Sequence, residues 1–229
     1  MTAARQRADE LTAPVEDYLK AIYDIERSGE LAGTNEIAAR LAIAPGSVSA
    51  MVRRLADQGL LEHERYRGAR LTEMGRRAAL RTLRRHRVIE AYLAHALGYP
   101  WDRVHEEAER LEHAASDELI DRMAAAIGEP TVDPHGAPIP TREGDVEERA
   151  HVALAALPEG RPSLVVRVSD EDAERLRYLA ELGIGLGATV EIVDRAPYGG
   201  PLTLRVDGAE RRIGPDLASQ ILVEPHAAR

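Results

Sequence analysis

The spacing of apolar residues predicts three helices near the start of the chain. The first covers residues 13–27, and its apolar positions recur at helical intervals: Val15, Leu19, Ile22 and Tyr23. A second, shorter segment, NEIAARLAI, ends at the Pro-Gly break at 45–46. The third, SVSAMVRRLADQG, follows this break and ends at Gly59. Two short helices around a tight break are typical of a helix-turn-helix.

A polar turn between apolar residues predicts a hairpin after the third helix. Leu60 and Leu61 precede the turn and Leu71 follows it. Together these elements make a winged helix-turn-helix, whose second helix enters the DNA major groove. A helical hairpin with solvated arginines is the alternative. The residues expected to contact DNA lie on that second helix and in the wing: Ser47, Ser49, Arg53, Arg54 and Arg67.

The charge distribution supports a DNA-binding face in this region. The whole chain has a formal net charge of −9, but the segment 40–87 carries twelve arginines, no lysine and four acidic residues, a net of +8. The remainder therefore carries −17. Such asymmetry indicates a local surface that binds phosphate.

A candidate metal site lies beyond the long helix predicted over 72–97. If the stretch 104–113, VHEEAERLEH, is helical, four of its side chains fall within an arc of about 100°: His105, Glu109, Glu112 and His113. The alternative is an acidic helix face in water. Before this stretch, His86 and Glu90 form a second His/Glu pair at i and i+4, a spacing that is more often a surface contact than a pair of ligands.

The last part of the chain has a different composition and residue pattern. Four prolines and two glycines make 130–145 an extended connection, within which we expect His135 to be exposed, while Trp101 is expected to anchor a core or an interface. The residues after 160 alternate short strands with Gly/Pro turns and one helix, which suggests a small barrel. The predicted fold class is therefore mainly α with a small β domain.

Composition limits the chemistry of any site. The chain has no cysteine, so a bound metal must be held by nitrogen and oxygen. No apolar run reaches the roughly 18 residues of a membrane span, and the N-terminus lacks the apolar core of a signal peptide. We therefore expect a cytoplasmic protein.

The order of these parts resembles the diphtheria toxin repressor family of iron- and manganese-dependent regulators. The resemblance covers essentially the whole chain, through EDYLKAIYDIE, NEIAARLAIAPGSVSAMVRRLADQGLL, RHRVIEAYL and VHEEAERLEHAASDEL. The final segment, with LGIGLGATVEIV and GGPLTLRV, is similar to the SH3-like FeoA-type barrel of the longer members. The resemblance implies a winged helix-turn-helix domain over 1–75, a helical metal-binding and dimerisation domain over 76–140, a linker over 141–160 and the barrel over 161–229.

The resemblance also implies two metal sites in each subunit. The primary site would use Asp17, Glu109, Glu112 and His113, and the ancillary site His86, Glu90 and His105. The barrel would add a ligand near Glu171 or Asp172. Lys20 stands where short manganese regulators place another carboxylate ligand, which argues against their closely paired ions.

The ligand types imply manganese. Iron-dependent members typically have Met at the position of Asp17 and Cys at that of Glu109, and carboxylates suit Mn²⁺ better than sulfur does. The ancillary set matches the iron branch, so Fe²⁺ stays an alternative. The implied function is a homodimeric repressor of metal-uptake genes, with Mn²⁺ as co-repressor and a palindromic operator. Activation of an efflux gene is a further alternative.

Two other classes of function are less consistent with the sequence. A metallohydrolase would need the H-E-x-x-H pattern, but the residue four after His105 is Glu109 rather than a histidine. A metal-independent winged-helix regulator would leave Asp17 and His86 without a shared role. The sequence therefore predicts a regulator and not an enzyme.

Overall fold

The computed structural model describes residues 11–27, 29–64, 67–147, 149–170 and 172–225. They form two compact units. The first unit contains residues up to Arg85 with 111–115 and 140–145, and the second contains 86–110, 116–139 and the residues from Val146 onward. None of the described helices combines the length and apolarity needed to span a membrane.

The first unit begins with the predicted winged helix-turn-helix. Its elements are α1 (Ala13–Glu26), α2 (Thr34–Arg40), α3 (Pro45–Asp57), β1 (Leu61–Glu64) and β2 (Gly68–Leu71). Apolar residues of α1 and α3 form the core of this domain, among them Leu19, Ile22, Val48 and Val52. Helix α3 begins at Pro45 rather than at Ser47, because proline at the first helical position needs no hydrogen-bond acceptor for its nitrogen.

The wing is an antiparallel hairpin joined to the helices by backbone and side-chain contacts. Leu61 pairs with Leu71 in the hairpin register. Ala69 of β2 also forms an isolated bridge with Ala32, ahead of α2. Glu26, at the end of α1, accepts a hydrogen bond of 2.7 Å from the Leu71 amide, and its burial raises the pKa of its carboxyl group. The wing is therefore held against α1 and the segment before α2.

Three helices follow the wing: α4 (Glu73–Leu97), α5 (Val104–Leu111) and α6 (Asp117–Ala126). The prediction of one helix through His113 was wrong, because α5 ends at Leu111. The amides of Ala114 and Ala115 both donate to the Leu111 carbonyl, and Ser116 then caps α6 by accepting from the Leu119 amide. Glu112 and His113 consequently lie in the turn between two helices.

The last part of the second unit is an antiparallel sheet with two short helices. Its elements are β3 (Val152–Ala153), β4 (Ser163–Val168), α7 (Ala173–Glu181), β5 (Thr189–Arg195), β6 (Leu202–Val206), β7 (Ala209–Ile213), α8 (Pro215–Ser219) and β8 (Ile221–Pro225). The six strands pair in the order β3-β8-β4-β5-β6-β7. Apolar side chains alternate along the strands and meet in one core that includes Leu154, Ile184 and Ile192. The predicted small β domain is confirmed.

The extended connection at 130–141 is tied to this sheet. The Val168 amide donates to the His135 carbonyl at 2.9 Å, and Trp101 packs against the core of the sheet as predicted. The expectation that His135 is exposed was wrong. Its side chain is fully buried, stacks on the Trp101 ring and lies 2.8 Å from the Trp101 carbonyl oxygen through Nε2.

Candidate metal centre

A first cluster, formed by Asp17, Glu112 and His113, lies within the first unit. His113 Nε2 is 2.9 Å from Asp17 Oδ1 and 3.4 Å from Glu112 Oε1. The three side chains each offer one ligand atom, and these atoms lie within 4.8 Å of one another. Helix α1 supplies Asp17, and the turn after α5 supplies the other two. One imidazole and two carboxylates form a donor set that suits a hard or borderline divalent cation.

Two cationic side chains lie close to the first cluster. Lys20, one helical turn after Asp17, places Nζ 2.7 Å from Glu112 Oε1. Arg85 Nη1 lies 3.1 Å from Glu16 Oε1. Glu112 is completely buried, and a buried carboxylate is stable only when it is paired and hydrogen-bonded. The local charge is therefore partly balanced by residues of the chain itself.

Glu16 orients the imidazole of the first cluster, and the sequence analysis missed it. Glu16 Oε2 lies 2.6 Å from His113 Nδ1, on the side of the ring away from Asp17. A ligating histidine almost always donates its second nitrogen to a carboxylate or carbonyl, which fixes the tautomer that leaves the other nitrogen free for the metal. The local sequence around Glu16 gives no signal for this contact, because His113 lies 97 positions further along the chain.

A second cluster lies within the second unit and contains the predicted ancillary residues. His86 Nε2 is 2.9 Å from Glu90 Oε1 and 3.1 Å from His105 Nδ1. The His105 nitrogen is in turn 3.3 Å from Glu90 Oε1. The i, i+4 pair on α4 and one residue of α5 therefore meet at one point, which a surface contact between His86 and Glu90 alone would not require.

Glu109 lies beside this second cluster. Its Oε1 is 3.6 Å from His86 Nδ1 and 3.9 Å from His105 Nε2. The resemblance assigned Glu109 to the primary site by its position in the family's pattern, together with Asp17, Glu112 and His113, and this assignment stays a prediction.

The barrel contributes a residue to the second cluster, although not one of those predicted. Asp170, two residues after β4, places Oδ2 3.8 Å from His105 Nδ1. Asp172 instead caps α7, accepting hydrogen bonds from the amides of Glu174 and Arg175 at 2.9 and 3.1 Å. Glu171 lies outside the described residues. An aspartate that caps a helix uses its oxygen on backbone amides, which leaves Asp170 as the candidate ligand.

Two further residues adjoin the second cluster and were not singled out from the sequence. Asp133 and His135 belong to one of the groups whose ligand atoms lie within 4.8 Å, together with Glu90 and Asp170. Their spacing was an available signal, since residues two apart in an extended segment point the same way. Asp133 Oδ1 accepts from the amides of His135 and Ala137, which holds this short loop in shape.

Three buried polar atoms of the second cluster test whether its residues fit a bound ion. Among the described residues, Glu90 Oε2, Asp133 Oδ2 and His135 Nδ1 are buried and have no hydrogen-bond partner. Buried polar atoms are normally satisfied, and an ion is one explanation for a group of them in one place. The residues present therefore fit a bound divalent cation.

The electrostatics of the second cluster are consistent with this explanation. Burial by itself would raise the pKa of Glu90, but the charge of His86 and hydrogen bonds from His105 and His86 outweigh it and hold this pKa well below its usual range. Burial, with the neighbouring Glu90 charge, raises the pKa of Asp133 to about 6. Burial disfavours protonated His105, yet its hydrogen bond to Glu90 raises its pKa overall. A divalent cation would stabilise both carboxylates in their ionised form.

The predicted DNA-contacting residues lie on the winged helix-turn-helix. Ser47, Arg53 and Arg54 are exposed on α3, and Arg67 is exposed in the wing, where it pairs with Glu64 at 2.6 Å. Ser49 is partly buried, and its hydroxyl donates to the Pro45 carbonyl. The four exposed residues are available for DNA, whereas the Ser49 hydroxyl already has a partner within the helix.

A winged helix-turn-helix with carboxylate–imidazole clusters and a small barrel defines a metal-dependent transcriptional regulator. Three family models match the chain: the N-terminal DNA-binding domain of iron-dependent repressors at residues 10–69, their metal-binding and dimerisation domain at 72–141, and the FeoA domain at 152–225. The chain belongs to this family of iron-dependent repressors. Its members are DNA-binding regulators and not enzymes, so the metallohydrolase alternative is set aside.

Relatives of the chain include iron- and manganese-dependent repressors. The iron-dependent repressor IdeR of Mycobacterium tuberculosis is 34% identical over 94% of this chain and 99% of its own length. The diphtheria toxin repressor of Corynebacterium diphtheriae is 31% identical over 94% and 98%. A manganese-dependent transcriptional repressor in complex with manganese shares 39% identity over 93% of this chain and all of its own, with a TM-score of 0.85. ScaR with bound Cd²⁺ shares 32% identity over 93% and 99%, with a TM-score of 0.81.

Proposed function

We propose that the protein is a manganese-dependent repressor that binds one Mn²⁺ at each of two sites per subunit and, as a homodimer, a palindromic operator. The first cluster is the observation that carries this proposal. It joins Asp17, on the first helix of the winged domain, to Glu112 and His113 in the turn after α5. An ion held by all three would link the DNA-binding helices to the segment that follows the wing.

The ligands of the two sites are proposed from the clusters. Asp17, Glu112 and His113 would hold the first ion. The second would be held by residues of α4, α5 and the barrel: His86, Glu90, His105 and Asp170. Asp133 and His135 are close enough to replace or supplement members of this set. Glu109, predicted for the first ion, lies beside the imidazoles of the second cluster, so its assignment is left to experiment.

Manganese is proposed because every candidate ligand atom is oxygen or nitrogen. The chain contains no cysteine, and none of its four methionines belongs to either cluster. Oxygen-rich sites suit Mn²⁺, while sulfur ligands favour metals later in the row. The manganese complex of a relative with 39% identity supports the same choice. The iron-dependent relatives keep Fe²⁺ as the competing metal.

The proposed mechanism is a population shift. The matched dimerisation domain supports a homodimer, in which two copies of α3 would enter successive major grooves roughly 34 Å apart on a palindromic site. The metal would raise DNA affinity because it binds better to the competent arrangement of the DNA-binding helices than to others. Repression of metal uptake follows if this operator overlaps a promoter of uptake genes.

The proposal is tested by DNA binding against a panel of divalent metals. A DNA site is first selected from a random-sequence pool in the presence of Mn²⁺, and affinity is then measured at fixed salt, because phosphate contacts make it salt-dependent. We expect Mn²⁺ to raise affinity at least tenfold over a chelator control, and His113→Ala or Glu112→Gln to abolish this increase while leaving the helical content unchanged.

Matched variants separate loss of a ligand from loss of any similar side chain. His95→Ala removes a histidine that contacts only the Ala91 carbonyl among the described residues, and Glu118→Gln removes an exposed carboxylate on α6. Both should retain the response to Mn²⁺. Metal-independent binding by the wild-type protein, or a full response in His113→Ala, would contradict the proposed role of the first cluster.

A further inference from the structure

We propose that the ammonium group of Lys20 acts as a cation within the first cluster. It limits the cluster to a single divalent ion, and it lowers the affinity of the cluster for that ion until the ion displaces Lys20 from Glu112. This inference rests on the proposed function, since it concerns how the same cluster takes up metal. It assigns Lys20 the role of setting the metal concentration at which the regulator responds.

The residue type at this position is unusual for the chain. Of its 30 basic residues, Lys20 is the only lysine and all the others are arginines. An arginine presents a planar fork that binds a carboxylate through two parallel hydrogen bonds, whereas a lysine is a compact point charge on a flexible stem. A lysine can therefore occupy a position close to that of a small cation and can also withdraw from it.

The contacts of Lys20 place its charge on a candidate ligand. Nζ lies 2.7 Å from Glu112 Oε1, the same oxygen that lies 3.4 Å from His113 Nε2. The Lys20 side chain is 14% exposed and that of Glu112 is fully buried. Because Glu112 has no access to water, Lys20 supplies the compensation that a buried carboxylate requires.

This pairing has two consequences for a metal ion. An ion that ligates Glu112 Oε1 competes directly with the ammonium group for that oxygen. An ammonium group that stays nearby also repels the ion, and a unit charge about 5 Å from a divalent ion changes affinity by roughly tenfold even at the dielectric constant of water. A second ion beside Glu112 would meet the same repulsion, so the first cluster accepts one.

Two substitutions test the inference by direct measurement of metal binding. Lys20→Met keeps the length of the side chain but removes the charge, and Lys20→Arg keeps the charge. Mn²⁺ binding is measured by calorimetry in a His105→Ala background, which weakens the second cluster so that the first is observed alone. We expect Lys20→Met to bind Mn²⁺ at least about tenfold more tightly than the parent, and Lys20→Arg, which keeps the charge, to bind no more tightly than the parent.

The outcomes distinguish this inference from the proposed function. If the parent binds no Mn²⁺ that His113→Ala removes, the proposed function fails. If His113→Ala removes an ion but Lys20→Met binds no more tightly than the parent, only the role of Lys20 is wrong. Equal increases in Mn²⁺ affinity in Lys20→Met and Lys20→Arg would also overturn the role of Lys20, because the charge of the side chain would then not be what lowers the affinity.

A measurement on the unsubstituted protein avoids any effect of substitution on folding. Lys20 carries the only ε-amine, so acylation by an amine-reactive reagent can occur only there and at the α-amino group, and mass spectrometry after cleavage at arginine resolves the two. We expect saturating Mn²⁺ to increase the acylation rate of Lys20 relative to the α-amino group, because the ion takes Glu112 from it. An unchanged or lower relative rate contradicts displacement.

Discussion

The metal preference of this protein depends on single ligand atoms. Asp17 is the candidate ligand of the first cluster that a sulfur-containing side chain could most simply replace, because its side chain is about one-third exposed. Glu112 has no such freedom, since it is buried and paired with Lys20. Asp17 is therefore the position at which a hard oxygen ligand can be exchanged for a softer one with little effect on packing.

We expect Asp17→Met to shift the order of metal potencies from Mn²⁺ toward Fe²⁺ and Co²⁺, because a thioether is a softer ligand than a carboxylate. The response to Mn²⁺ should weaken by roughly tenfold or more, the usual cost of losing a well-placed contact. DNA binding is measured against free metal concentration, under anaerobic conditions for Fe²⁺.

The change from Glu109 to Cys is tested separately. Glu109 lies beside His86 and His105, so Glu109→Cys should alter the second cluster and leave the number of ions bound at the first unchanged. Loss of the first ion in Glu109→Cys would instead support its assignment to the primary site. An unchanged order of potencies in both single variants and in the double variant would remove the main support for manganese.

Among the elements, the loop that carries Asp133 and His135 is the one that lies directly against β4, beside the second cluster. Gly136 follows His135 with a φ of +87°, and a Cβ atom built there would lie 2.0 Å from the Val166 carbonyl oxygen of β4. The Val168 amide donates to the His135 carbonyl in the same place. Only glycine allows the loop to approach the strand this closely.

We expect Gly136→Ala to destabilise the metal-free protein by about 2 to 4 kcal/mol, because it combines a left-handed backbone conformation with a clash against backbone. Thermal and denaturant unfolding measure the effect. Gly128→Ala is the control, because Gly128 has a φ of +83° but no atom within 4 Å of the added Cβ, so it reports the backbone strain alone. Equal decreases in the free energy of unfolding in the two variants would mean that the close approach of the loop to β4 does not contribute to the destabilisation.

For the molecule as a whole, the basic segment 40–87 contributes less to DNA binding than its charge suggests. Arg85 and Arg87 are buried, and Arg85 pairs with Glu16. Arg40 forms an ion pair with Asp24 at 3.0 Å. Of the arginines predicted to contact DNA, Arg53 and Arg54 are exposed, and Arg67 is held only by a surface pair that phosphate can replace at little cost.

We expect Arg53→Ala and Arg67→Ala each to weaken binding to the selected site and to random DNA by similar factors. Each should reduce the slope of log affinity against log salt by about 0.9, as expected for the loss of one phosphate contact. Arg122→Ala, on α6 outside the winged domain, removes an exposed arginine of similar pairing and should leave the slope unchanged. A slope that stays constant in both wing and helix variants would show that these arginines do not contact phosphate.

The sequence was sufficient for the elements whose side chains repeat at a regular interval. The helices of the winged domain, the wing and the strands of the barrel follow from periodicity and turn residues, and their cores contain the expected residues. Resemblance then supplied most of the residues in both clusters. Periodicity could not show where α5 ends, because a turn held by two hydrogen bonds to one carbonyl leaves no break in the apolar pattern.

Residues that meet only through long-range contacts were the ones missed. Glu16 contacts His113 across 97 positions of sequence, and Asp170 contacts His105 from a segment far along the chain within the second unit. Nothing in the local pattern around either residue indicates its partner. His135 was misjudged for a related reason, since a segment rich in proline and glycine resembles an exposed loop until the packing of Trp101 against it is known.

The end of α5 at Leu111 also affects the electric field at the first cluster. A helix carries roughly half a negative charge at its C-terminal end, from carbonyl groups that have no partner within the helix. Glu112 and His113 are the first two residues beyond that end, so a cation held by their side chains, as proposed above, would lie near this negative pole. A longer α5 would give a more regular helix but would move this negative pole away from the ligands. Under the proposed ligand assignment, the turn that ends α5 at Leu111 would therefore add a negative helix pole to the charge of the ligands.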